Sequence, residues 1–382
     1  MNILVNALGV KDSGGGIVLR KLLGELLKHK ENNYIFICNR NKLFHELSER
    51  YRSNTCFAFH FVDSSSLAYR IYFENWKFRK IVRFFNIDLI YNFSGTAQAF
   101  KTPQLVKIHN LLFYSKKLDR AYWKRGHYKL WLKEVFFKRL FFKFMLQRVN
   151  HIEIQSSHVS NNLADFLDIR NKTLYVKSDI NVSNTSFRSP RKYTFPARVK
   201  FLYIVGPHFD YIHKNLGDFT GAMLKLYDIG FDFEINITLT KDRLEASNSW
   251  NTLLNSKTNF LGYVEDQDKI RELFSNDTIL ISTSVVESLG LNVIEGIKNG
   301  IITITPDEDY SNAVYGKDTY KYKIFNIDSL VGTILDVVNR QGPYGKFITS
   351  AQNSLKSREL EKFDNVVDVF DRVLQNKKDS MP

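Results

Sequence analysis

Along the first half of the chain, short unbroken apolar runs alternate with longer stretches whose apolar positions recur every three to four residues. The short runs predict strands at 2–8, 34–38, 56–62, 89–93, 105–109, 152–155 and 173–176. The periodic stretches predict helices at 17–29, 66–85, 128–149 and 159–167. From 181 to 198 the periodicity vanishes into Ser, Asn, Arg and Pro, the pattern of a linker. The same grammar then restarts, with strands expected at 201–205, 233–238, 260–264, 278–282 and 301–305, and helices at 216–229, 267–274, 291–298 and 330–338. Apolar strands alternating with helices imply parallel sheets covered on both faces, hence an α/β class with two doubly wound domains. The expected division is a first domain over 1–180, a linker over 181–198, a second domain over 199–345, and a terminal region over 346–382. That last region holds one or two helices that return toward the first domain.

Composition adds boundaries to this picture. A chain of 382 residues with 44% hydrophobic and 25% charged residues fits a soluble two-domain protein. No apolar run is long enough to predict a membrane span, and the run at 2–8 lacks the flanking charge and cleavage site of a signal peptide. The two cysteines, Cys38 and Cys56, both lie in strand-like runs, so neither a disulfide framework nor a zinc site is expected, and a reducing, cytoplasmic setting follows. The net charge of +14 favours anionic partners.

The richest segment runs from Ile279 to Gly300. An apolar strand leads to Ser284, then Glu287-Ser288-Leu289-Gly290-Leu291, then a helix carrying Glu295. Gly290 allows backbone to approach a ligand closely, and the free N–H groups of the new helix suit a diphosphate. A carboxylate such as Glu295 can accept two hydroxyl hydrogens from a vicinal diol. Two glutamates on an ordinary surface helix would give the same bare spacing. In register, however, Ser284, Glu287, Gly290, Leu291, Glu295 and Gly300 resemble the signature of retaining glycosyltransferases of family 4 in the GT-B superfamily; Ser288, Leu289, Asn292 and Gly296 depart from its commonest choices. The resemblance implies a GT-B fold, with two Rossmann-like doubly wound domains facing across a cleft. It also implies that Glu287 faces the donor sugar and Glu295 holds the ribose.

Other positions follow from the same resemblance. After the strand ending at Gly206, Lys214 fits the lysine that clamps the donor diphosphate, while His213 stands where relatives carry arginine and His208 is an alternative second cation. Gly14, Gly15 and Gly16 match a glycine-rich loop near the phosphates, although a plain strand–helix turn reads the same way. His109 matches a histidine close to the transferred sugar, but Asn110 replaces the acidic residue that commonly follows it. Tyr263 falls beside the expected base pocket, where core packing is an equally ordinary role. No acidic residue follows the second strand at the spacing a dinucleotide needs, so no cofactor is expected. No metal is expected either, since Lys214 and helix N–H groups would neutralise the leaving diphosphate.

One stretch stands apart. Residues 116–148 hold eleven Lys or Arg against Asp119 and Glu134, interleaved with nine aromatics. Such a mixture suits an anionic membrane surface or an acceptor, with Lys124, Arg125, Lys138 and Arg139 as contacts. A regular helical wheel does not gather these charges on one side, so a plain domain helix remains open. The reading that results is a retaining, metal-independent transferase acting on a nucleotide-sugar donor and a saccharide or lipid-linked acceptor. Its expected setting is bacterial surface polysaccharide synthesis, as O-antigen or capsule, peripheral at the inner face of the membrane. A GT-B sugar-nucleotide epimerase and a basic nucleic-acid-binding protein are the alternatives; no nucleic-acid-binding motif is visible.

Overall fold

The computed structural model describes all residues except 11–13, 64–65, 180–186, 191–192, 194, 196–197, 207–208, 265–266, 276, 340–343, 360–362, 364 and 380–382. Asp12, Ser13, His208 and much of the expected linker therefore lie outside the described residues. Two compact units emerge. The first comprises Met1–Tyr114, Leu132–Ile180 and Glu361–Pro382; the second comprises Ser115–Trp131 and Asn181–Leu360.

The first unit is built on a seven-stranded sheet. Its strands are β1 (Asn2–Asn6), β2 (Asn33–Asn39), β3 (Phe57–Val62), β4 (Leu89–Asn92), β5 (Gln104–Ile108), β6 (His151–Ile154) and β7 (Thr173–Val176). They run in the order β3-β2-β1-β4-β5-β6-β7, with every pairing parallel. Both faces are apolar, as a parallel sheet requires. One face buries Ile3, Val5, Phe36 and Tyr91 with the helices Gly14–Leu26, Lys42–Arg50 and Val366–Asp379. The other buries Leu4, Ile35 and Ile90 with Phe73 and Phe78.

The second unit has a six-stranded parallel sheet in the order β10-β9-β8-β11-β12-β13. Its strands are β8 (Val199–Tyr203), β9 (Phe233–Ile237), β10 (Thr258–Phe260), β11 (Thr278–Ile281), β12 (Ile302–Pro306) and β13 (Tyr320–Tyr322). The chain reverses direction across the sheet between β8 and β11, and it is at such a switch point that loops open at the carboxyl ends of the strands. Each unit is thus a Rossmann-like α/β domain.

Three differences from the sequence expectation have local causes. Ser115–Trp131 packs in the second unit, where Lys117 pairs with Glu308 and Arg125 Nη2 donates to Asn215 Oδ1 at 2.7 Å. The C-terminal region divides: Tyr344–Glu359 belongs to the second unit, while Val366–Asp379 closes the first with Val366, Val369, Phe370 and Val373 in its core. The helix expected over 128–149 is interrupted by a π turn at Leu132–Phe136 between Tyr128–Trp131 and Phe137–Leu146. A π turn inserts a residue and rotates the following face, so a wheel drawn at a constant angle cannot describe this segment.

Candidate active site

Two loops leave the switch point of the second unit. The one after β8 ends in a short 3-10 turn, Ile212–Lys214, and Asn215 then adopts a left-handed conformation at φ 50° before the helix Leu216–Asp228. The one after β11 ends at Gly290, φ 63°, which caps the helix Leu291–Lys298. The loops are tied together by backbone: Val285 N–H donates to His213 O at 2.7 Å. Beneath them the Thr283 hydroxyl donates to Lys214 O at 2.9 Å, and Tyr203 Oη lies 2.8 Å from Thr283 Oγ1. Two buried tyrosines brace the second loop, Tyr310 donating to Ser284 O at 2.6 Å and Tyr315 to Gly290 O at 3.3 Å. The position of Gly290 is obligatory in two ways. Its φ disfavours an L side chain, and an added Cβ would lie 1.8 Å from the Tyr315 hydroxyl oxygen.

This frame brings Lys214 and Glu287 into contact, Nζ to Oε1 at 2.6 Å. Burial acts to raise the Glu287 pKa, but Lys214, followed by His213 and Ser284, outweighs it and holds the carboxyl below its ordinary value. Glu287 is therefore an anion at neutral pH. Glu295 lies on the helix that Gly290 opens, paired with buried Lys298 at 3.3 Å. Leu289 is buried, so only its backbone is available at the loop, whereas Ser288 and Leu291 are partly exposed. Gly206 follows β8 and is also partly exposed. Tyr263 follows the edge strand β10 and is largely exposed.

The remaining candidates belong to the first unit. Gly14, Gly15 and Gly16 form the first turn of the helix after β1. His109 ends β5, and its Nε2 lies 2.8 Å from Phe93 O. A carbonyl can only accept, so Nε2 carries the hydrogen and Nδ1 the lone pair. Burial, then the Lys107 charge, lower the His109 pKa, with Asp179 opposing them. Asp179 Oδ2 is 3.9 Å from His109 Nδ1. An acidic neighbour thus reaches His109 from seventy residues away in the chain, while Asn110 instead accepts from Leu112 N–H at 2.8 Å. Nothing in the local sequence around His109 points to Asp179. Below it, Lys107 bonds both Glu153 and Asp179 at 2.5 Å.

Of the four basic side chains expected at a membrane or acceptor, Lys124 and Arg125 are exposed on the second unit. Lys138 pairs with Glu134. Arg139 is buried, donating to Phe113 O with its guanidinium 4.3 Å from the Phe166 ring. Among the described residues, no cluster of His, Cys, Asp or Glu has the arrangement of a metal site.

The architecture is shared with solved structures. The lipopolysaccharide outer core galactosyltransferase WaaB in its apo form is similar at a TM-score of 0.64 and 12% identity, covering 99% of this chain and 100% of that one. WaaG, a glycosyltransferase involved in lipopolysaccharide biosynthesis, gives 0.64 at 10% identity over 94% and 96%. Anabaena HepE, in complex with UDP and glucose, gives 0.63 at 11% identity over 99% and 100%. These likenesses establish a GT-B fold. No curated protein matches the chain in sequence. Residues 240–354 match the family described as Glycosyl transferases group 1.

The fold is that of the GT-B glycosyltransferases. The family match contains Glu287, Gly290 and Glu295, whereas Lys214 precedes it.

Proposed function

We propose that this protein is a glycosyltransferase that moves a sugar from a nucleoside-diphosphate donor to a saccharide acceptor, lipid-linked, in bacterial surface polysaccharide assembly of the O-antigen or capsule kind. Anomeric configuration is retained and no metal takes part. The observation that carries the reading is the Lys214–Glu287 ion pair beside the Gly290 helix start, with Glu295 farther along the same helix. In this reading Lys214 and the helix N–H groups hold the diphosphate, Glu287 faces the sugar hydroxyls and Glu295 the ribose. Ser288, Leu289 and Leu291 contribute backbone around the phosphates, His213 adds positive potential, and Tyr263 borders the base. Gly206 and Gly14–Gly16 leave room for the donor, and His109 serves the transferred sugar. The bound UDP and glucose of HepE and the lipopolysaccharide roles of WaaB and WaaG support the donor and acceptor classes.

Exposed Trp123 and Tyr128 on the second unit, and separately Phe137 and Phe144 on the first, each near lysines in sequence, support docking at an anionic membrane surface. Among the described residues, no helix is long and apolar enough to cross a membrane. The decisive experiment incubates the protein with UDP-, GDP-, CMP- and dTDP-sugars and a lipid-linked saccharide in the presence of EDTA. The product's anomeric configuration is then read by NMR. A requirement for added magnesium or manganese, or inversion, would refute the mechanism; isomer interconversion without acceptor would indicate an epimerase instead.

A further inference from the structure

On the second unit, between Ser115–Trp131 and the helix Leu216–Asp228, lies a pocket of about 470 Å³ that none of Lys214, Glu287 or Glu295 lines. Its walls include Lys124, Arg125, Asp218, Lys225, Phe325 and Asp328. Lys225 is neutralised by Asp328. Asp218 Oδ2 accepts from Phe325 N–H at 2.8 Å and from the Tyr322 hydroxyl at 3.3 Å. Lys124 and Arg125 have no carboxylate at ion-pair distance among the described residues. Among the described residues Arg125 bonds the Asn215 amide oxygen, its guanidinium 5.8 Å from the Phe325 ring. Two cations outside any direct ion pair among the described residues therefore share one concavity, with Asp218 the carboxylate that Arg125 acts on.

Phe325 is the second signal. It holds φ 57°, a conformation that a bulky side chain adopts only under constraint, and the residue is nonetheless 37% exposed. Core burial does not account for a strained aromatic residue that stays this exposed. Strain of this kind persists where surrounding structure enforces it, here the Asp218 carboxylate on its N–H, and it concentrates at ligand-binding positions.

We propose that this pocket binds an anionic sugar, a hexose-sized ring carrying a phosphate or a carboxylate. Lys124 and the free guanidinium N–H groups of Arg125 hold the anion, since a guanidinium fork matches either group. The apolar face of the sugar ring packs on Phe325, and its hydroxyls donate to the carboxylates of Asp218 and Asp328. The volume is within the range of small-molecule sites. Binding here does not rest on the transferase reading, because it is measured without donor or turnover.

The test is calorimetric titration of the full chain with glucose 6-phosphate, glucuronate, glucose and inorganic phosphate. At least one anionic sugar is expected to bind more than tenfold tighter than glucose and than inorganic phosphate, and which of the two wins assigns the anion. Lys124→Gln, alone and with Arg125→Gln, is expected to weaken that binding tenfold or more. Phe325→Gly is expected to weaken it while leaving the melting temperature equal or higher, because glycine adopts this φ freely; a purely structural ring would lower it. Lys214→Ala is expected to leave the affinity intact. The proposal is overturned if anionic sugars bind no tighter than glucose, if inorganic phosphate binds as well as they do, or if their affinity survives loss of Lys124 and Arg125. It is also overturned if their affinity falls only with Lys214→Ala, which would place the anion at the donor loops.

Discussion

Lys214 donates to Glu287 across 2.6 Å, so the cation proposed for the donor diphosphate and the carboxylate proposed for the donor sugar form one ion pair. Lys214→Ala should weaken a nucleoside diphosphate by about 1.5–3 kcal/mol, roughly ten- to a hundredfold, and barely affect the nucleoside. Calorimetry with both ligands checks this. Equal losses for both would remove Lys214 from the phosphate.

The same pair sets an acid limit. The Glu287 pKa is depressed below its ordinary value of 4.5, so its contribution to stability is present above that value. That contribution is lost as pH falls through the lower, folded-state pKa. Lys214→Ala should remove part of this acid-dependent loss. Melting temperatures measured on either side of pH 4.5 for both proteins should converge at the acid end.

Glu295 carries a second burden, the pairing of buried Lys298 at 3.3 Å. Glu295→Ala should therefore weaken donor binding and also destabilise the fold, because it leaves an uncompensated, largely buried ammonium. Adding Lys298→Met should restore stability but not donor affinity. If donor affinity returned with stability, the ribose role of Glu295 would be refuted.

Gly290→Ala should cost about 1–2 kcal/mol from its left-handed backbone alone, with a further loss from collision with Tyr315. The double variant Gly290→Ala, Tyr315→Phe should recover only part, since the ring carbon beneath the hydroxyl is still 3.1 Å from the added methyl. Chemical denaturation of the three proteins measures this. Full recovery would mean that the backbone conformation carries no strain.

In the first unit, Lys107 answers two buried carboxylates, Glu153 and Asp179. Lys107→Met should destabilise by about 3–5 kcal/mol in urea, and Glu153→Gln with Asp179→Asn should return most of it. Burial would lower the Lys107 pKa, but the two carboxylates raise it above its ordinary value of 10.5. Its contribution is thus complete below that pH and lost as pH rises through the folded value, an alkaline loss that Lys107→Met should lack. An unchanged urea midpoint would show the cluster to be energetically idle.

The alternation of apolar runs and periodic stretches was enough to determine two parallel α/β units. Buried parallel strands are continuous apolar runs whatever they pack against, and twelve of the thirteen strands coincide with or overlap predicted runs. The exception, β13, reads Tyr320-Lys321-Tyr322 between Thr319 and Lys323, so it offers no continuous apolar run. The run of residues from Ser284 to Glu295 was equally legible, because loop, glycine cap and helix are contiguous and local. Only the tertiary structure decided which distant groups meet them. It joined Lys214 to Glu287, stacked Tyr315 against Gly290, and brought Asp179 to His109 across the carboxyl ends of β5 to β7. It also assigned Ser115–Trp131 to the second unit and buried Arg139, although both lie in one stretch of similar composition. Composition reports which side chains are available. Which of them become buried, paired or exposed is set by long-range packing, and a π turn at Leu132–Phe136 removes the periodicity that would have shown the faces.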